Sequence, residues 1–140
     1  MSCDIRYCSD NAVFGQPEVS LGITPGFGGT QRLARLIGTG KAKEMVYSAQ
    51  NVKADEAYRI GLVNGVCSKE ELMPTVMKLA KRIASNAPIA VRYAKESLTD
   101  GYLCDLDHAI YIEEKHFSEC FETADQIEGM SAFLEKRKVD

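Results

Sequence analysis

Turn-forming residues crowd the start of this 140-residue chain, and they constrain its fold more than any other feature of the sequence. The first 30 positions hold five glycines and two prolines, whereas helical patterns dominate everything that follows. Residues 3–8 and 12–14 fit short strands. A strand or two cannot form a stable sheet in water. We therefore expect either that these strands pair with a segment outside the chain or that this region is poorly ordered.

Helical patterns follow one another after Gly29. They cover residues 30–37, 41–49, 54–60, 89–98 and 106–121, with a short extended stretch at 62–67. Glycines end the first and third of these segments. The chain by itself is thus predicted to be predominantly α-helical, with two or three short strands.

Two capping boxes mark further helix starts, because the hydroxyl and the side chain three residues on can each satisfy an orphan backbone donor. Ser68 with Glu71 opens one helix, and Thr123 with Gln126 opens the last. Apolar residues then recur at the spacing of a core-facing helical stripe. The stripes are Leu72, Val76, Leu79 and Ile83 in the first helix and Ile127, Met130 and Leu134 in the last.

Composition and charge argue against several classes of protein. A net charge of −3 disfavours a nucleic-acid-binding protein, and no apolar run reaches the length of a membrane helix. The N-terminal residues lack the pattern of a signal peptide, so we expect a cytoplasmic protein. The five cysteines form no Cys-x-x-Cys pair, and neither histidine lies near a cysteine pair at ligand spacing. We therefore expect reduced thiols and no metal site.

Glu18 is a carboxylate among apolar neighbours, Phe14, Pro17, Val19 and Leu21. Desolvation by such neighbours disfavours the charged form and suits a carboxyl for proton transfer near neutral pH. The alternative is structural, because proline followed by glutamate is also an ordinary first turn of a helix. The residues alone leave both interpretations open.

The glycine-rich turn before the first predicted helix also has two interpretations. Backbone N–H groups at such a helix start can bind an anion or an oxygen atom. Most such turns, however, only relieve backbone strain. The segment is not a Walker loop, because no Lys-Ser or Lys-Thr follows the glycines.

Several motifs in order resemble the crotonase (enoyl-CoA hydratase/isomerase) family, and within it the short-chain enoyl-CoA hydratases of butanoate metabolism. The resemblance covers essentially the whole chain and matches the C-terminal half of such enzymes. It is carried by Gly15-Gln16-Pro17-Glu18, Gly22, Pro25-Gly26-Phe27-Gly28-Gly29-Thr30-Gln31-Arg32-Leu33, Ala54-Asp55-Glu56-Ala57, Gly61-Leu62-Val63, Ala87-Pro88, Ala94-Lys95, Phe121-Glu122-Thr123-Ala124-Asp125 and the segment from Glu128 to Arg137.

The resemblance implies a reversible syn addition of water across the 2,3-double bond of an enoyl-CoA thioester, with no cofactor beyond the CoA of the substrate. Members of the family use two glutamates and an oxyanion hole of two backbone N–H groups. Glu18 matches the glutamate that donates the C2 proton in hydration. Gly26, expected at the start of its helix, matches a glycine whose N–H helps to position the water.

The other half of this machinery is expected upstream of Met1. In hydratases the first glutamate lies in a Gly-Gly-Gly-Cys-Glu segment just ahead of the stretch that Met1 to Asp4 resembles. That glutamate and the oxyanion-hole donors are therefore expected outside this chain. We expect the chain to be a fragment with little or no hydration activity, because each oxyanion donor contributes about 10²–10³ in rate.

Two residues near the C-terminus match family positions at the CoA site of a neighbouring subunit, Phe133 and Lys136. A lysine suits a CoA phosphate as a point-charge partner. Lys136 could equally favour the end of the last helix dipole, and Phe133 could be a core or interface residue.

The complete protein is expected to have the α/β crotonase (ClpP/crotonase-like) fold and to form homotrimers or hexamers. Residues 1–67 would be the end of its ββα spiral core, and residues 68–140 a helical trimerisation region. Exposed apolar helix faces would make the chain self-associate. The alternatives are an enoyl-CoA isomerase, another reaction of this superfamily, or a non-catalytic oligomerisation or CoA-binding module.

Overall fold

The computed structural model describes residues 1–139, which divide into two compact units. The first comprises Met1–Lys78, and the second begins at Leu79. The division falls within the helix α4 (Lys69–Ala84). The family resemblance assigns residues 1–67 to the spiral core and residues 68–140 to a trimerisation region. The two compact units do not test these roles, which stay predictions.

Four short strands, rather than the two or three predicted, form two separate pairs in the first unit. β1 (Tyr7–Ser9) pairs in parallel with β4 (Gly65–Cys67). β2 (Val13–Phe14) pairs antiparallel with β3 (Val52–Lys53). Later segments of the same chain thus supply a partner for each of β1 and β2, so the expectation that this region is poorly ordered is wrong. Each strand has one paired edge, and pairing of the other edge with a segment outside the chain stays a prediction.

Three helices share a hydrophobic core with these strands. They are α1 (Gly29–Ile37), α2 (Thr39–Ser48) and α3 (Ala54–Arg59). Leu33 of α1 and Met45 of α2 are the largest fully buried side chains. Burying a side chain of this size contributes about 1.5–3 kcal/mol. The rest of this core consists of Cys8, Ala42, Val46, Val52, Ala54, Ala57, Leu62 and Val63.

An ion-pair cluster joins α2 to α3. The Nε atom of Arg59 lies 2.6 Å from Oε2 of Glu56, and Nζ of Lys41 lies 3.2 Å from Oε1. The hydrogen bonds from Arg59, with a smaller contribution from Lys41, lower the pKa of Glu56 to about 2. This carboxylate is therefore fully paired within the fold.

The second unit contains the end of α4 and three further helices, α5 (Pro88–Gly101), α6 (Leu106–Cys120) and α7 (Ala124–Glu135). The capping role predicted for Thr123 is confirmed, because its Oγ1 accepts a hydrogen bond of 3.2 Å from the Gln126 N–H. Asp105 caps α6 in the same way, through the N–H of His108.

α5 and α6 pack against each other around His116. Its ring stacks on Tyr93 with centroids 4.9 Å apart, and its Nδ1 lies 2.8 Å from Oγ of Ser97. No residue of α5 or α6 is fully buried, however. None of the helices among residues 1–139 is long and apolar enough to cross a membrane.

The apolar stripe predicted for α7 does not face a core. Ile127, Met130 and Leu134 are 63%, 52% and 75% exposed, and Ala132 is the residue of α7 that is buried. These residues do lie on a helix at the expected spacing, but the sequence pattern alone cannot show what the stripe packs against. The stripe of α4, by contrast, is half-buried throughout.

Candidate active site

Glu18 begins a short 3-10 helix, Glu18–Leu21, rather than an α-helix. Pro17 precedes it, and the Pro17 carbonyl accepts hydrogen bonds from both the N–H and the Oγ of Ser20, at 3.0 and 2.7 Å. Gly22 ends it with a left-handed backbone, φ 76°. Val19 packs against the core of the first unit. The backbone that carries Glu18 is thus fixed on both sides.

The carboxylate of Glu18 has an unusual environment. Its Oε2 atom is buried, yet it has no hydrogen-bond partner among residues 1–139. Leaving a buried polar atom unpaired costs about 1–3 kcal/mol. No other buried side-chain oxygen or nitrogen in that range is left unpaired. Few buried polar atoms in folded proteins lack a partner, so this oxygen distinguishes Glu18 from the other polar side chains among residues 1–139.

The glycine-rich loop lies next in the chain, and here one expectation is wrong. Gly26 is exposed and lies three residues before α1, not at its first turn. The helix begins at Gly29 and not at Gly26, because Gly28 adopts a left-handed backbone, φ 74°. Nη1 of Arg32 then donates a 2.7 Å hydrogen bond back to the Phe27 carbonyl and ties the loop to the helix.

The loop leaves open space around its exposed residues. A Cβ added at Gly26 would meet no atom within 4 Å. The side chain of Phe27 is 99% exposed. The described residues therefore build only one side of any cavity at this loop.

A close contact brings the two glycine-containing motifs together. The side chain of Gln16 lies directly against Gly29, so that a Cβ at Gly29 would collide with the Gln16 amide. The segment that carries Glu18 therefore packs onto the first turn of α1. Sequence reasoning missed this contact, because nothing in a separation of thirteen residues signals it.

The two residues proposed for CoA binding lie in the second unit, at the end of α7. Phe133 is 78% exposed, and Lys136 is exposed as the residue that terminates the helix. Glu18 and Gly26 belong to the first unit. All four assignments stay predictions about roles, although the positions are now defined.

Comparison with known proteins identifies the family. The sequence pattern described as enoyl-CoA hydratase/isomerase matches residues 1–140. The chain belongs to this family. It is 59% identical over 140 residues to the short-chain-enoyl-CoA hydratase of Clostridium acetobutylicum, covering all of this chain and 54% of that protein. It is 57% identical over 140 residues to the crotonyl-CoA hydratase of Syntrophomonas wolfei, with the same coverage of 100% and 54%.

Solved structures agree with this family assignment. The crystal structure of an enoyl-CoA hydratase from Bacillus anthracis superposes with a TM-score of 0.95 at 43% identity, over 99% of this chain and 54% of that one. The predicted crotonase fold is therefore confirmed. The chain spans about half the length of these relatives.

Proposed function

We propose that this chain supplies the carboxylate that transfers the C2 proton in a short-chain enoyl-CoA hydratase. The reaction is the reversible syn addition of water to a trans-2-enoyl-CoA such as crotonyl-CoA, giving the 3-hydroxyacyl-CoA. The observation that carries the proposal is the buried, unpaired Oε2 of Glu18. The hydratase names of the relatives in Clostridium and Syntrophomonas support the same reaction.

The proposed chemistry divides the work between two carboxyl groups. A glutamate outside this chain accepts a proton from the water as its oxygen bonds to C3, and Glu18 gives a proton to C2. Exchange with solvent then restores both carboxyl groups. Two backbone N–H groups, also outside this chain, would stabilise the enolate oxygen that develops on the thioester. Proton transfer and enolate stabilisation need no cofactor beyond the CoA of the substrate.

We propose that the loop before α1 forms the water side of this site. The open space beside Gly26 leaves room for a water molecule near its N–H. The Gln16–Gly29 contact holds this loop's helix against the segment of Glu18. The Glu18 carboxylate and the Gly26 N–H, which would act on the same substrate, thus lie on two segments that are in contact.

We propose that Phe133 and Lys136 contact the CoA of a neighbouring subunit in a homotrimer or a hexamer. The exposed apolar residues of α5, α6 and α7 support self-association, because monomeric proteins rarely expose large contiguous apolar patches. Sedimentation equilibrium tests this proposal, and a monomer at micromolar concentration contradicts it. A cytoplasmic location stays a prediction.

Hydration of crotonyl-CoA tests the proposed function, followed by the loss of enoyl-thioester absorbance. We expect activity when the chain is extended by the upstream half that supplies the second glutamate, and little or none from residues 1–140 alone. If the extended protein instead shifts a 3-enoyl-CoA double bond and hydrates nothing, the isomerase alternative is correct. Full activity of residues 1–140 alone would contradict the division of carboxyl groups.

A further inference from the structure

The end of α7 contains a backbone conformation that its sequence does not favour. Lys136 has φ 55° and ψ 36°, in the left-handed region where glycine is usual. Its N–H donates to the Phe133 carbonyl at 3.3 Å, and the Arg137 N–H donates to the Ala132 carbonyl at 3.0 Å. This is the hydrogen-bond pattern of a Schellman motif with a lysine in the glycine position. A residue with a Cβ adopts this conformation at a cost in free energy, which nearby contacts can offset.

Arg137 supplies the additional contacts. Its Nη1 and Nη2 donate to the two carboxylate oxygens of Glu128, at 2.5 and 2.9 Å. Its Nε donates to Oε2 of Glu135 at 2.6 Å. These hydrogen bonds, first those to Glu128, raise the pKa of Arg137. The residue that follows Lys136 is thereby attached to α7 at two points, one of them more than two turns back along the helix.

The same contacts affect the charge around Lys136. Glu128 and Glu135 are the carboxylates engaged by Arg137, and the structure of residues 1–139 pairs no carboxylate with the Lys136 ammonium. A planar guanidinium can bind a carboxylate or a phosphate at two points, and an ammonium can bind a phosphate as a compact point charge. The donors of Arg137 are occupied by Glu128 and Glu135, whereas the ammonium of Lys136 is not engaged by either carboxylate. Arg137 therefore binds carboxylates within α7, whereas the ammonium of Lys136 is left to bind a ligand.

We propose that Arg137 is a positioning residue: together with Glu128, it fixes the left-handed backbone at Lys136 and neutralises nearby carboxylates, so that the lysine ammonium is held available for a phosphate group of CoA. The inference rests on the proposed function, because it takes Lys136 to be a CoA contact. It assigns a role to Arg137, and to the left-handed end of α7, that the family resemblance did not give.

The test compares two substrates in the complete protein, crotonyl-CoA and crotonyl-pantetheine, which lacks the phosphates and the adenosine. For Arg137→Gln we expect the KM for crotonyl-CoA to rise about three- to tenfold, with kcat within about twofold and the KM for crotonyl-pantetheine unchanged. Lys136→Ala should have the same signature, and the double variant should lose little more than either single variant. Arg137→Lys should behave like Arg137→Gln, because it keeps the charge but not the two-point geometry.

Arg59→Gln is the matched control, because Arg59 also binds a carboxylate through two donors, but in the first unit. It should leave both KM values unchanged. An unchanged KM for crotonyl-CoA in Arg137→Gln, or an equal rise for both substrates, overturns the positioning role. An unchanged KM in Lys136→Ala overturns it as well. If the unmodified complete protein hydrates neither thioester, the proposed function itself fails, and the inference falls with it.

Discussion

Replacing Glu18 by glutamine separates a functional carboxylate from a structural one. The change keeps the shape of the side chain and removes its ability to transfer a proton. A positioned acid or base contributes about 10²–10⁴ in rate, which corresponds to roughly 3–5 kcal/mol of transition-state stabilisation. The buried Oε2 makes no hydrogen bond that the substitution could break. We therefore expect the free energy of unfolding to change by less than about 1 kcal/mol.

The assay measures crotonyl-CoA hydration and thermal unfolding of the complete protein, with and without Glu18→Gln. We expect kcat to fall at least about a hundredfold, while the melting temperature stays within about 4 °C. Glu56→Gln is the matched control, since that carboxylate is paired with Arg59 and should affect stability but not kcat. A kcat within tenfold of the unmodified protein, or a large loss of melting temperature in Glu18→Gln, would refute the reasoning.

Three further predictions concern the first unit. Because Arg59 holds the pKa of Glu56 at about 2, below its ordinary value of 4.5, the pairing stabilises the fold above about pH 4.5 and is lost as the pH falls towards 2; the pH dependence of the unfolding free energy should flatten in Glu56→Gln. Gly28→Ala should lower the free energy of unfolding by about 1–2 kcal/mol, because φ is positive at this residue. Gly40→Ala, in open space within α2, should instead raise the free energy of unfolding by up to about 1 kcal/mol. Urea denaturation measures both changes. Burial raises the pKa of the Cys8 thiol, so iodoacetamide should modify Cys8 more slowly than the exposed cysteines, as followed by mass spectrometry.

Local signals predicted the helices well and the strands less well. The last helix begins where the Thr123 cap placed it, since capping depends on residues three apart. The two-residue strand Val52–Lys53 was missed, because two residues are too few to show an alternating pattern. The start of α1 is one residue earlier than predicted, and Gly26 lies outside it. The backbone angle of Gly28 decides that boundary, and the sequence does not specify which glycine of the cluster takes it.

The candidate site was found by its motif, but its distinctive properties are tertiary. Glu18 was singled out from its apolar neighbours, whereas the missing partner of its Oε2 depends on how the first unit packs. The Arg137–Glu128 pair joins residues nine apart across a helix end, where the i,i+4 rule for helix pairs does not apply. The Arg137–Glu128 pair forms because the chain turns back at the left-handed residue Lys136. The periodicity of the sequence does not show where such a turn occurs.

The most direct test of the central claim is the fate of the C2 proton when the complete protein hydrates crotonyl-CoA in D₂O. NMR of the 3-hydroxybutyryl-CoA product locates the deuterium at C2. We predict one deuterium, on the same face as the new hydroxyl group, with both hydration and deuterium incorporation lost in Glu18→Gln. Deuterium on the opposite face or on both faces, or unchanged incorporation in Glu18→Gln, would contradict the assignment of Glu18 as the C2 proton donor.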